Sequence, residues 1–220
     1  MERVPEELPL GRLEAFSDGV FAIAITLLVL ELGVAEDAGD HLLSSILDEW
    51  PSLLAYLTSF MTIGVIWLQH SAITGALSAA DATLYRLNLL VLLLVGFIPF
   101  PTKLVSEFVD DYDAERVAVA FYGLTLLALA LALTVFVRYA AENPHLVKDE
   151  VAAEDVESAL VHQPDFLFYG IGIGVGIFFP RIGVILFLLT ALYVGIPGRT
   201  IHRLLRGERG ASDEPPSVSG

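Results

Sequence analysis

Cysteine is absent from the chain, which removes disulfides, thiolate metal sites and cysteine nucleophiles from consideration. Basic residues are few: 12 Lys and Arg stand against 27 Asp and Glu, for a net charge of -15. With no basic patch to neutralise phosphates, nucleic acid is excluded as a partner. Charge of either sign is thin, at 18% of residues, where a soluble domain carries roughly 25%. The opening residues, MERVPEELPLGRLEAF, lack a basic n-region, so the first apolar segment is expected to stay in the mature protein as a helix.

What fills the chain is apolar. Hydrophobic residues make up 55% of it and gather into long uninterrupted runs, the composition of an all-α, polytopic membrane protein. Six transmembrane helices are expected: Phe16 to Leu32, Trp50 to His70, Leu84 to Val105, Arg116 to Arg138, Asp165 to Phe179 and Ile182 to Ile196. Pro99 and Pro101 bend or end the third, and Asn143-Pro144 stops the fourth. A polar amphipathic stretch, Val147 to Val161, follows, and Pro180-Arg181 turns the fifth span into the sixth. Residues 1–205 are read as the transmembrane domain and 206–220 as a disordered cytoplasmic tail.

Basic residues orient the spans. With the amino terminus inside, Arg3, Arg12, Arg86, Arg138, Lys148, Arg199, Arg203, Arg206 and Arg209 are cytoplasmic, leaving only Lys103, Arg116 and Arg181 outside. Both termini are therefore expected in the cytoplasm of a cell-membrane protein. That topology brings polar residues of three spans to one depth. Ser17 and Asp18 open the first, Trp67 and His70 close the second one helical turn apart, and Asn88 lies near the start of the third. A carboxylate at the mouth of an apolar helix is costly, so an interhelical hydrogen-bond network pinning the first helix is expected. The same residues could instead simply sit at headgroup level, where Trp and His are common.

At 100° per residue, with Ile23 at zero, Phe16 falls near +20°, Leu27 near +40°, Leu30 near -20° and Thr26 near -60°. Asp18 falls near -140° and Ser17 near +120°, on the far side. Burying the polar face against the second and third spans turns the apolar stripe toward lipid, another subunit or an axial pore. Such a stripe is also common as ordinary packing, and spacing alone favours packing.

The run Arg12-x-x-x-Phe16-Ser17-Asp18-Gly19 at the start of an apolar first helix resembles the signature of the endolysosomal transmembrane potassium channel family. WLQH (Trp67 to His70), the Asn88 region and the PFP segment (Pro99 to Pro101) are similar to that family's second and third helices. The length, with one six-helix unit per chain, resembles the prokaryotic branch. The resemblance implies a homotetramer in which four copies of the first helix line a central pore. It implies a constriction at Ile23, Leu27 and Leu30, with Thr26 taking part in cation selection; Arg12 and Phe16 of the motif are grouped with Ser17, Asp18, Trp67, His70 and Asn88 in the network expected to anchor the helix. The TVGYG loop of ordinary potassium channels is missing. The function implied is a potassium-permeable cation channel whose partners are its own copies, monovalent cations and membrane lipids, with no cofactor.

A proton-coupled transporter or proton leak using Asp18 and His70 as titrating groups is the competing reading. A non-conducting membrane scaffold is a third. No serine–histidine or paired-carboxylate arrangement lies at membrane depth, so an enzyme is not expected. The outer loops are acidic (Glu36, Asp37, Asp40, Asp48 and Glu49, then Glu107, Asp110, Asp111, Asp113 and Glu115), either to concentrate cations at a pore mouth or as a generally acidic surface. Gly170, Gly172, Gly174 and Gly176 alternate through the fifth span and are expected to allow close helix approach on two faces. His41, His145, His162 and His202 form no metal-ligand spacing, and Arg199, Arg203 and Arg206 read as a headgroup anchor.

Overall fold

Proline and helix caps punctuate the chain into helices. The computed structural model describes residues 9–33, 41–108, 111–148 and 166–195. Helix α1 runs Leu10–Leu27 from Pro9 and tightens into a 3-10 turn over Leu28–Glu31. A short α2, Leu42–Asp48, precedes α3, Trp50–Gly75, which has Pro51 in its first turn, where a missing N–H does no harm. Asp81 caps α4, Ala82–Phe97, by accepting from the Leu84 amide at 2.8 Å. After the single turn residue Ile98, Pro99 opens α5, Pro99–Glu107. Asp111 caps α6, Tyr112–Glu142, whose first turn holds Asp113 and Glu115, the sign of charge that suits a helix amino end. Asn143 stops α6, a 3-10 turn covers Pro144–Leu146, and α7, Phe166–Phe178, and α8, Pro180–Gly195, are separated only by Phe179.

Among the described residues, four helical runs are long and apolar enough to cross a membrane: Leu10–Glu31, Trp50–Gly75, Ala82–Glu107 and Tyr112–Glu142. The expected spans begin later or end earlier because hydropathy fades where Arg12, Glu14, Asp113, Glu115 and Glu142 begin, while the helical backbone continues into the polar zone. Helices α7 and α8 have 13 and 16 residues. At about 1.5 Å per residue they rise roughly 20 and 24 Å, less than the roughly 30 Å hydrocarbon core. The expected stretch from Val147 to Val161 lies almost wholly outside the described residues, as do His162, His202, Arg199, Arg203, Arg206 and the 206–220 tail.

Helices α3 and α6 hold the centre. Helix α6 packs on α4, α5, α7 and α8, and α3 packs on α1, α5 and α8. Helix α1 sits at the edge, against α3 and α4, with 28% of its span buried, against 44–56% for the other long runs.

The alternating glycines of α7 do different work on their two faces. A Cβ on Gly172 would lie 2.5 Å from Phe187 Cε1, and one on Gly176 would lie 2.7 Å from Val119 Cγ1. Gly183 of α8 completes this face: its Cβ would meet Gly176 Cα at 2.6 Å. Gly170 and Gly174 face open space. Close approach within the subunit therefore uses one face, where the spacing had suggested two. Gly183→Ala, which pushes backbone against backbone, is expected to destabilise the protein by about 1–3 kcal/mol. Gly174→Ala is expected to be neutral or to stabilise by up to about 1 kcal/mol through helix propensity. Thermal unfolding of the two variants in detergent checks both.

Candidate functional site on the first helix

Helix α1 has two unlike faces. Leu13, Ser17, Phe21, Ala24 and Leu28 are buried, with Ser17 and Leu28 at 0% exposure. On the other side Phe16, Thr26 and Leu27 are exposed, and Ile23 and Leu30 are 60% and 73% exposed. The bare side is bulky and apolar except for Thr26. That hydroxyl satisfies its proton inside the helix, lying 2.9 Å from both the Ala22 and Ile23 carbonyls. Its lone pairs are left on the open side, the only side-chain oxygen among the stripe residues Phe16, Ile23, Thr26, Leu27 and Leu30.

On the buried side, polar side chains of three helices meet. Ser17 Oγ donates to its own helix, to the Leu13 carbonyl at 2.8 Å. Its oxygen then accepts from Asn88 Nδ2 of α4 at 3.0 Å. The amide oxygen of Asn88 lies 2.7 Å from His70 Nε2 of α3. An amide oxygen only accepts, so His70 donates, which places the ring proton on Nε2. The imidazole is held between Phe21 of α1, with centroids 5.4 Å apart, and Phe136 of α6, stacked at 5.6 Å. Ser17, His70 and Asn88 are all buried, and each finds a partner, as burial in an apolar span demands.

A second, separate contact lies nearer the surface. Trp67 Nε1 donates to Asp18 Oδ1 at 2.9 Å, and both residues are exposed. Trp67 and His70 thus reach α1 from one turn of α3, but no hydrogen bond or ion pair joins Asp18 to His70. Arg12 and Phe16, grouped with the anchor by their place in the motif, do not join either contact; both are exposed, and no hydrogen bond or ion pair of Arg12 is seen among the described residues. One anchor went unnoticed in the sequence: Tyr85 Oη of α4 donates to the Pro9 carbonyl at 2.7 Å, tying the chain just ahead of α1. Tyr85 stands one helical turn before Asn88, a spacing that could have revealed it.

Charge elsewhere is largely local. No group of His, Asp or Glu among the described residues could hold a metal ion. Of the acidic outer residues, Glu36, Asp37, Asp40 and Asp110 lie outside the described residues. Glu115 is buried and pairs with Arg181 at 3.6 Å, so it is not a free charge at the surface. Arg181 also lies over the Trp50 ring, 5.6 Å from its centroid. Asp113 and Arg116 form a surface pair at 3.5 Å, a type of contact that contributes little.

The family described as "endosomal/lysosomal potassium channel TMEM175" matches residues 12–99, the stretch that contains both faces of α1 and its partners on α3 and α4. A potassium channel of Chamaesiphon minutus is 42% identical over 163 residues, 72% of this chain and 79% of the relative. A potassium channel of Streptomyces collinus is 41% identical over 144 residues, 65% of this chain and 70% of the relative. The crystal structure of a lysosomal potassium-selective channel TMEM175 homolog from Chamaesiphon minutus is similar with a TM-score of 0.75 and 36% identity, over 85% of this chain and 96% of that one.

Proposed function

Because the chain belongs to the endosomal/lysosomal potassium channel TMEM175 family, we propose that it is a potassium-permeable channel whose ions pass between four copies of α1. The observation that carries this reading is the division of α1 into a pinned polar face and a bare apolar one. A helix fastened on one side by Ser17, Asn88 and His70 presents Ile23, Leu27 and Leu30 outward in fixed register. In a homotetramer those side chains form successive rings around the axis.

Rings of Ile and Leu offer no oxygen to replace a hydration shell. Passage then requires a partly dehydrated ion, and a narrow enough ring empties of water and closes. Potassium sheds water at lower cost than sodium, which favours it without a carbonyl filter. Thr26 supplies the one side-chain oxygen on this stripe, a place for a modest further preference. In this reading α7 and α8 are two short spans, for six crossings in the cell membrane with both termini on the cytoplasmic side. The excess of Lys and Arg on that side supports this orientation.

In reconstituted vesicles loaded with potassium and diluted into sodium, with a protonophore present to carry the balancing charge, potassium is expected to leave faster than sodium enters, while protein-free vesicles show neither flux. Asp18→Asn keeps an oxygen for Trp67 and is expected to retain this flux. A proton flux that Asp18→Asn and His70→Ala abolish, with Ile23 substitutions silent, would replace this reading with proton transport. The absence of any bond between Asp18 and His70 speaks against that outcome.

A further inference from the structure

A buried row of hydroxyls lies apart from the anchor of α1. Ser59 of α3, Thr102 of α5 and Tyr122 of α6 are all buried. Ser59 Oγ is 2.7 Å from Thr102 Oγ1 and 2.9 Å from Tyr122 Oη. Each hydroxyl has one proton to give. Thr102 has committed its own, to the Ile98 carbonyl at 2.8 Å. Ser59 must therefore donate to Thr102, and Tyr122 must donate to Ser59. The hydrogen bonds run one way, from Tyr122 through Ser59 and Thr102 to the Ile98 carbonyl, and every proton is used.

The row ends at a joint. Pro99 and Pro101 contribute no N–H, so the backbone ladder is interrupted between α4 and α5. Ile98 is the turn residue there, and its carbonyl also accepts the Thr102 amide at 3.1 Å. A joint with missing backbone bonds leaves the angle of α5 to whatever side chains hold it. Helix α5 packs, together with α3, against the 3-10 turn Leu28–Glu31 at the far end of α1. Leu28 of that turn is buried in one core with Ile98 and Val105. Two other buried hydroxyls, those of Thr125 and Thr190, bond carbonyls of their own helices instead, at 2.9 and 2.8 Å.

We infer that Tyr122, Ser59 and Thr102 are positioning residues that fix α5 at the proline joint and, through α5, set the outer end of α1 where Leu30 stands. The inference rests on the pore-lining role of α1. Leu30→Cys introduces the sole thiol of a cysteine-free chain, so its modification by a membrane-impermeant thiol reagent reports the position of that end. In reconstituted vesicles, block of potassium flux on modification tests the pore reading by itself; failure to block sinks that reading and this inference with it.

Given block, Tyr122→Phe and Thr102→Val in the Leu30→Cys background are expected to change the modification rate several-fold. They are also expected to shift the reversal potential under opposed potassium and sodium gradients. Thr102→Ser, which keeps the hydroxyl, is expected to preserve both, and Thr125→Val and Thr190→Val to leave both unchanged. If Tyr122→Phe fails to fold, the near-isosteric Thr102→Val and then Ser59→Ala carry the test. Unchanged rate and potential in Thr102→Val, or the same change in Thr125→Val, overturns the positioning role.

Discussion

Ile23→Asn is expected to raise cation flux by an order of magnitude and to erode the preference for potassium over sodium. In the proposed pore a ring of Ile23 side chains could not coordinate an ion, so the barrier at that depth would be the free energy of partial dehydration, or of wetting an apolar gap. Four amides would supply oxygens and hold water there. Lowering the barrier by about 1.4 kcal/mol multiplies the rate tenfold, and this is no more than a fraction of what one hydrogen bond to an ion supplies in a dry site. Sodium, whose shell is held harder, gains most, so selectivity falls as conductance rises. The subunit itself should tolerate the change, because Ile23 is 60% exposed and supports no part of its core. Single-channel recording in planar bilayers, with reversal potentials under potassium and sodium gradients, checks both halves. Currents identical to the parent would remove Ile23 from the conduction path.

Asn88→Leu is expected to destabilise the protein by about 2–4 kcal/mol, the largest loss among single polar substitutions at the α1 anchor. Asn88 is the hub: its amide nitrogen donates to Ser17 and its oxygen accepts from His70. Leucine fills similar space and answers neither. Ser17 keeps its bond to the Leu13 carbonyl at 2.8 Å, so part of its need remains met. His70 loses Asn88, the partner of its Nε2, while sandwiched between Phe21 and Phe136, and an orphaned buried donor costs about 1–3 kcal/mol. Asp18→Asn supplies the contrast. The carboxylate it replaces is exposed, and an amide oxygen can still accept from Trp67, so the expected change is within about 0.5 kcal/mol. Melting temperatures of the purified variants in one detergent decide the matter; equal losses for the two would mean that the buried bond is no stronger an anchor than the exposed one.

Much of the architecture could be read from hydropathy, because each long apolar run had to satisfy its backbone internally and therefore had to be a helix. The two faces of α1 followed from its 3.6-residue period: Ser17 and Ile23, projected to opposite sides, lie on opposite sides in the structure. The joining of Ser17, His70 and Asn88 was approachable because polar groups in three apolar spans have few places to go. Spacing could not separate Asp18–Trp67 from this group, since depth alone does not say which side of a helix meets which partner. Arg12 and Phe16 were grouped with the anchor through the motif, and a motif does not reveal which members touch. Glu115 looked like one more acidic surface residue; only the fold, which brings Arg181 beside it, accounts for its burial. The glycines of α7 could be assigned to packing but not to a face, because the neighbour that selects the face, Gly183, lies in the next helix.

The change of winding at the end of α1 alters the ladder an ion would climb. From Ile23 to Leu27 the helix is α, four residues at about 1.5 Å, a step of roughly 6 Å. From Leu27 to Leu30 it is 3-10, three residues at about 2.0 Å, again roughly 6 Å. An unbroken α-helix would have shortened that second step to about 4.5 Å and swung Leu30 about 60° away from Leu27. The tighter turn instead stacks Leu30 directly over Leu27, since residues three apart eclipse in a 3-10 helix. In the proposed tetramer, four such helices would carry Ile23, Leu27 and Leu30 as evenly spaced rungs, each roughly 6 Å from the next.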